Sequence, residues 1–220
     1  MKPTNTAPLS ESDIKAIAIA RLLRTGRITP NAIIANEYRL GSSGVRADLA
    51  VLDKRFIGLE VKSDRDSLRR LASQVKAYER YFDRTILVLA ERHIPNLEID
   101  LSGIELWSVG SNGSIKTISK PTHLRSVALR EHLVDLLPSR QRARILESKQ
   151  GVVFRNLTTE LFRAYFTDRF TATSRAFWDS TSNRDFEGAD LSSLSVYKPI
   201  RNKAAEMAEK RAATLKRWGR

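Results

Sequence analysis

Asp48, Glu60 and Lys62 stand at the ends of two short apolar runs. Residues 49–52 (LAVL) follow Asp48, and residues 56–59 (FIGL) precede Glu60. The turn signal Asp53-Lys54-Arg55 lies between the runs, so residues 46–52 and 56–62 are predicted to form a β-hairpin. Side chains alternate along a strand, which puts Glu60 and Lys62 on one side and Val61 on the other. Normal pairing then brings Asp48 across from that pair. Two carboxylates and an ammonium converging on one spot can hold a divalent cation and polarise a water beside it. Phosphodiester hydrolysis needs an activated water, positive charge on the phosphate oxygens and a protonated leaving group. These residue types can serve it.

Several elements must position that cluster. Ser10 or Ser12 can cap a first helix, in which Ile14, Ile17, Ala18 and Leu22 share one face and Gly26 supplies the stop. Residues 32–40 (AIIANEYRL) read as either strand or helix, and Gly41-Ser42-Ser43-Gly44 as a loop. After Lys62, the polar run Ser63-Asp64-Arg65-Asp66 is suited to capping a helix that runs to about Tyr81. Leu68, Leu71, Val75, Tyr78 and Phe82 form its buried stripe. Residues 84–90 (RTILVLA) have the continuous apolar character of a strand covered on both faces. Residues 104–109 and 114–118 are two further predicted strands, joined through Asn112-Gly113. From Pro121 the pattern turns helical over 124–137 and 156–166. The Ser/Thr-rich stretch 171–195 reads as irregular or weakly helical, and 202–220 as a helix-prone basic tail. The predicted fold class is α/β, with a mixed central sheet flanked by helices and a helical C-terminal part. The expected division is a core over 1–120 and a basic helical extension over 121–220.

Composition narrows the chemistry. No cysteine and only His93, His123 and His132 occur among the 220 residues, which argues against a zinc site built on His and Cys. The absence of cysteine fits a reducing compartment, and a cytoplasmic location is expected. No apolar stretch approaches the ~18 residues of a membrane span, so no membrane partner is expected. A net charge of +13 favours a polyanionic partner, with DNA the expected one. From Lys198 onward eight Lys/Arg face two Glu, a local charge of +6.

The spacing carries a resemblance. Arg46-Ala47-Asp48-Leu49 and Gly58-Leu59-Glu60-Val61-Lys62-Ser63 resemble the core of the PD-(D/E)XK nuclease superfamily, over about residues 31–92. Arg-Ala-Asp-Leu-Ala, Glu-Val-Lys-Ser-Asp and Leu-x2-Gln-x3-Tyr are similar to one bacterial and phage branch of it. The resemblance implies a restriction-endonuclease-like αβββαβ core. It further implies Mg²⁺ or Mn²⁺ held by Glu37, Asp48, Glu60 and the Val61 carbonyl, with Lys62 positioning or activating the water. Gln74 and Tyr78, one helical turn apart, match a pair that some members add to the centre. A metal-dependent deoxyribonuclease in repair, phage biology or defence is the implied activity. The alternative is a catalytically silent nuclease-like module that binds DNA or protein. An RNA-directed nuclease is a third reading, although no aromatic RNP strand is present.

Each residue also has a plainer reading. Gln74 can be a surface residue, and Tyr78 lies on the apolar stripe. Arg46 can pair with Asp48 or contact phosphate, and Ser63 and Asp66 suit a helix cap. His93 reads as a solvated loop residue and Trp107 as core. Trp178 and Trp218 can stack on bases or pack. Lys198, Arg201, Lys203, Lys210, Arg211, Lys216 and Arg217 are the candidate phosphate-backbone contacts of the tail. A homodimer, and a protein partner bound through the C-terminal helices, stay open.

Overall fold

A computed structural model describes residues 8–122, 127–147, 151–182 and 184–195. Helix α1 (Glu11–Arg24) leads into strands β1 (Ile33–Arg39), β2 (Arg46–Leu52) and β3 (Phe56–Lys62). Helix α2 (Leu71–Tyr81) and strand β4 (Arg84–Ala90) follow, β5 (Ile104–Val109) and β6 (Ile115–Ser119) complete the sheet, and helices α3 (Ser139–Glu147) and α4 (Gly151–Thr181) come after it. The six strands lie in sequence order. The pairs β1–β2, β2–β3 and β5–β6 are antiparallel, whereas β3–β4 and β4–β5 are parallel. The fold is therefore α/β with a mixed sheet flanked by helices, and its first six elements run αβββαβ.

Local rules account for most boundaries. Ser10 caps α1 through a reciprocal capping box with Asp13, and Gly26 follows the helix with φ +66°. The hairpin strands have the predicted bounds. Residues 33–39 form a strand because α4 (Gly151–Thr181) covers their outer edge. Ser174 Oγ accepts the Ile34 N–H at 2.8 Å and lies 3.2 Å from the Ile34 carbonyl. Trp178 Nε1 donates to the Ala32 carbonyl at 2.8 Å. An otherwise open sheet edge is thus satisfied by side chains from α4.

The expectation of irregular structure over 171–195 is corrected. Helix α4 is continuous to Thr181, and a 3₁₀ segment spans Gly188–Leu194. Thr171 and Thr181 return their hydroxyls to carbonyls four residues back, so these polar side chains sit inside the helix without unmet bonds. Phe162, Phe166 and Phe170 form the buried stripe of α4 and pack edge-on around Tyr38 and Phe56. Residues 127–136, expected within a helix, form a 3₁₀ segment. In α1, Ile19 is fully buried while Ile17 is only half-buried. Trp107 is core, as expected, and Trp178 packs against Phe177 and Phe186. Among the described residues no helix is long and apolar enough to cross a membrane.

Candidate functional site

Glu37, Asp48 and Glu60 stand in one row across β1, β2 and β3. Asn36 pairs with Leu49 and Tyr38 with Ala47, which brackets Glu37 opposite Asp48. Leu49 pairs with Leu59, which puts Asp48 next to Glu60 in the continuing register. Neither step of the row is itself a ladder pair. Glu37 has φ +59°, the left-handed region that costs a non-glycine residue about 1–3 kcal/mol. The strand alternation slips there, so Ala35 and Tyr38, three residues apart, join the same core cluster.

Side chains take over the bonds the ladder gives up. Asp48 Oδ2 accepts the Val61 N–H at 2.7 Å. The Tyr78 hydroxyl accepts the Asp48 N–H at 3.0 Å and lies 2.6 Å from Glu60 Oε2 and 3.0 Å from the Leu59 carbonyl. Its single proton can serve only one of those two acceptors at a time. Tyr78 is fully buried, so both readings of it meet: it is core, and its hydroxyl lies in the acidic row. Lys62 Nζ is 2.5 Å from Glu60 Oε1, the contact that same-side alternation implies. Arg46 Nε pairs with Glu37 Oε2 at 2.6 Å rather than with Asp48.

Two participants were not anticipated. Lys15 is buried, and its Nζ lies 2.6 Å from both Glu11 Oε1 and Glu37 Oε1. Asn36 Oδ1 is 3.3 Å from that ammonium and Asp48 Oδ1 is 3.9 Å away. The sequence signal is a lysine between apolar residues of α1, with a glutamate one turn before it. Such an i,i+4 pair usually marks a solvated helix face.

Charge is crowded here. Burial first, and then the Glu60 carboxylate, push Asp48 up to about 8, against the pull of Lys15 and the Val61 N–H. Burial draws the Lys15 ammonium down, but Asp48, Glu11 and Glu37 outweigh it and hold its pKa above the ordinary lysine value. Burial and the nearby acids raise Tyr78 well above an ordinary phenol, so it stays protonated.

The donor set fits a hard divalent cation. Oxygens of Glu11, Glu37 and Asp48 lie within 4.8 Å of one another with the Lys15 ammonium among them, which leaves Asp48, Glu60 and the Val61 carbonyl as the oxygen set for an ion. Gln74 Oε1 is buried without a hydrogen-bond partner and lines the same cleft as Asp48, Glu60, Val61 and Lys62. All the donors are oxygens, which suits Mg²⁺ or Mn²⁺. The cleft measures about 1240 Å³, and Arg39, Arg46, Arg70, Lys76 and Arg80 also line it.

The flanking residues differ from expectation. Asp66 Oδ2 accepts from the backbone and hydroxyl of Ser63 at 2.7 and 2.6 Å, closing a turn after β3 rather than capping α2. Helix α2 starts only at Leu71 and has no side-chain cap bond. His93 is buried, not solvated, with Nε2 2.8 Å from the Ser63 carbonyl. Lys198, Arg201, Lys203, Lys210, Arg211, Lys216, Arg217 and Trp218 lie outside the described residues.

A family model described as "Bacteriophage P4 protein cII" matches residues 4–195. Protein cII of Enterobacteria phage P4 is 31% identical over 116 residues, covering 51% of this chain and 44% of that protein. The chain thus spans less than half the length of the curated relative it matches. A solved structure of a protein of unknown function from Silicibacter pomeroyi is similar with a TM-score of 0.39 at 16% identity, over 66% of this chain and 97% of that one.

Proposed function

The chain belongs to the family of bacteriophage P4 protein cII, and from the geometry of its site we propose that it is a metal-dependent nuclease of the PD-(D/E)XK type, hydrolysing DNA phosphodiester bonds. The observation that carries this reading is the cross-strand row Glu37–Asp48–Glu60 with Lys62 seated on Glu60. Four further features support it: the strained Glu37, the raised Asp48, the unpartnered Gln74 oxygen and the basic residues around the cleft.

Asp48 and Glu60, with the Val61 carbonyl, would hold Mg²⁺ or Mn²⁺, and Glu37, whose two oxygens lie on Lys15 and Arg46, would stand at the edge of that site. A bound divalent cation supplies Lewis-acid stabilisation of phosphate charge and a more acidic water. Lys62 orients that water and counters the charge growing on the phosphate. Tyr78, held protonated, fixes the Glu60 carboxylate, and Gln74 offers an oxygen to water or metal. Arg39, Arg46, Arg70, Lys76 and Arg80 hold the phosphate backbone without reading bases, and the tail lysines and arginines from Lys198 to Arg217 extend that contact. Binding then weakens steeply with salt. Phage biology, repair or defence would be the setting.

The test is cleavage of linear and plasmid DNA by purified protein with Mg²⁺ or Mn²⁺. Wild type should cut, and Asp48→Ala and Lys62→Ala should bind DNA without cutting it. A wild type that binds and never cuts, on duplex, single-stranded or branched substrates, sinks the catalytic reading. That result would favour the silent binding module. Removing residues 198–220 should lower affinity and flatten its salt slope. An unchanged slope removes the tail from the interface.

A further inference from the structure

The acidic trio best shaped for a cation already contains one. Lys15 Nζ sits between Glu11 Oε1 and Glu37 Oε1, 2.6 Å from each, and faces Asp48 Oδ1 at 3.9 Å. Its side chain is only 4% exposed. The neighbours Ile14, Ala16, Ala18 and Ile19 are all buried, so the lysine rides on a helix locked against its surroundings, while its partners Glu11 and Glu37 are 44% and 36% exposed along the cleft. A metal ion in the trio would need the same oxygens at about 2.0–2.1 Å. It would then lie beside a fixed positive charge that already occupies those oxygens and repels it.

On the other side of Asp48 the arrangement differs. Glu60 binds Lys62, whose side chain is 12% exposed at the cleft, and Gln74 Oε1 has no partner. Glu11, Glu37, Asp48 and Glu60 all line one cleft; the two sides differ in that an ammonium already fills the Glu11–Glu37–Asp48 group, whereas Gln74 Oε1 in the same cleft is without a partner. We propose that Lys15 is a built-in cation of this centre. Its ammonium holds the place among Glu11, Glu37 and Asp48 that a second metal ion would otherwise take, and it limits the chain to one divalent cation, bound by Asp48 and Glu60. This inference rests on the metal-centre reading above. It makes Lys15 a positioning residue: it fixes Glu37 and one oxygen of Asp48 and does not touch substrate.

Metal stoichiometry tests it independently of cleavage. Mn²⁺ is titrated into the full chain and counted by calorimetry and by the loss of free-ion EPR signal. Wild type should bind one Mn²⁺ per chain. Lys15→Met should bind two, and Mn²⁺ should raise its melting temperature more than that of wild type, because three acids have lost their counter-ion. Lys15→Arg keeps the charge and should keep one ion. In the wild-type background Glu60→Gln should weaken the single ion about tenfold or more, whereas Glu11→Gln should leave it nearly unchanged. Two ions in wild type, one ion in a folded Lys15→Met, or equal weakening by Glu11→Gln and Glu60→Gln would each overturn the assignment. Should Lys15→Met not fold, the wild-type count and the Glu11/Glu60 contrast still decide it. No Mn²⁺ binding by wild type would overturn the metal-centre reading itself, an outcome distinct from a second ion or a misplaced one.

Discussion

Glu105 on β5 and Asp48 on β2 are both largely buried acids of one sheet, with two strands between them, and their environments are opposite. Glu105 lies near the start of β5. Arg27 approaches its two oxygens at 2.6 and 2.8 Å, and Trp107 Nε1 donates to it at 2.7 Å. Burial alone would raise its pKa, but those bonds outweigh burial and hold it below the usual glutamate range. Its strand pairs regularly with β4, and the ladder to β6 shifts register between Leu106 and Trp107. Asp48 sits where the β1–β2 ladder skips a pair and the β2–β3 ladder ends, beside another acid, and it is pushed up to about 8. Glu105 is an acid whose every need is met by fixed partners. Asp48 is an acid kept short of compensating charge at the mouth of a cleft. A low pKa with every oxygen on a fixed donor fits a structural ion pair, and a raised pKa beside a left-handed break in the next strand fits a working site.

That contrast can be broken most sharply by exchange of roles. Asp48→Asn and Lys62→Ala should reduce DNA cleavage by about 10³-fold or more, whereas Glu105→Ala should leave the rate per folded molecule unchanged. Product formation at saturating Mg²⁺ measures it. Denaturant melts should give the reverse order. Glu105→Ala should cost about 3 kcal/mol, because Arg27 and the Trp107 N–H lose their acceptor, and Asp48→Asn should cost far less. Equal losses in the two variants would remove the distinction.

Tyr78→Phe is a smaller probe. It should cost about 1–2 kcal/mol, since the Asp48 N–H loses its acceptor, and should slow cleavage because Glu60 is no longer fixed. A variant with wild-type stability would mean the hydroxyl contributes nothing to the broken row.

A further probe is pH. A carboxyl whose folded pKa is raised binds more protons folded than unfolded, so it favours the fold at low pH. That contribution is lost as pH climbs from near 3.8 through about 8. Metal-free wild type should therefore lose stability across that window, and Asp48→Asn should flatten the loss. Parallel stability–pH curves for the two proteins would show that Asp48 titrates normally.

Much of this arrangement is legible in the chain because it is local. The period of two along residues 56–62 forces Glu60 and Lys62 onto one side, and the turn at 53–55 sets the hairpin, so Asp48 falls near them. The three- and four-residue apolar spacing of α2 brings Gln74 and Tyr78 to one face. The same local reasoning failed at 171–195, where Ser and Thr satisfy themselves inside a helix that the sheet recruits. It failed again at His93, which the end of β3 buries through the Ser63 carbonyl.

What the amino-acid order determined by itself is the set of elements and the faces within each, because those follow from backbone periodicity and the chemistry of turns. Only the tertiary structure decided that α1 delivers Glu11 and Lys15 to a row of acids formed by three strands. It also decided that Glu37 leaves regular β geometry to meet them, and that Tyr78 replaces a missing ladder bond. Those outcomes depend on how a helix lies over the end of a sheet. Charges far apart in the chain converge there, and burial then sets their pKa values through distances that no local pattern records.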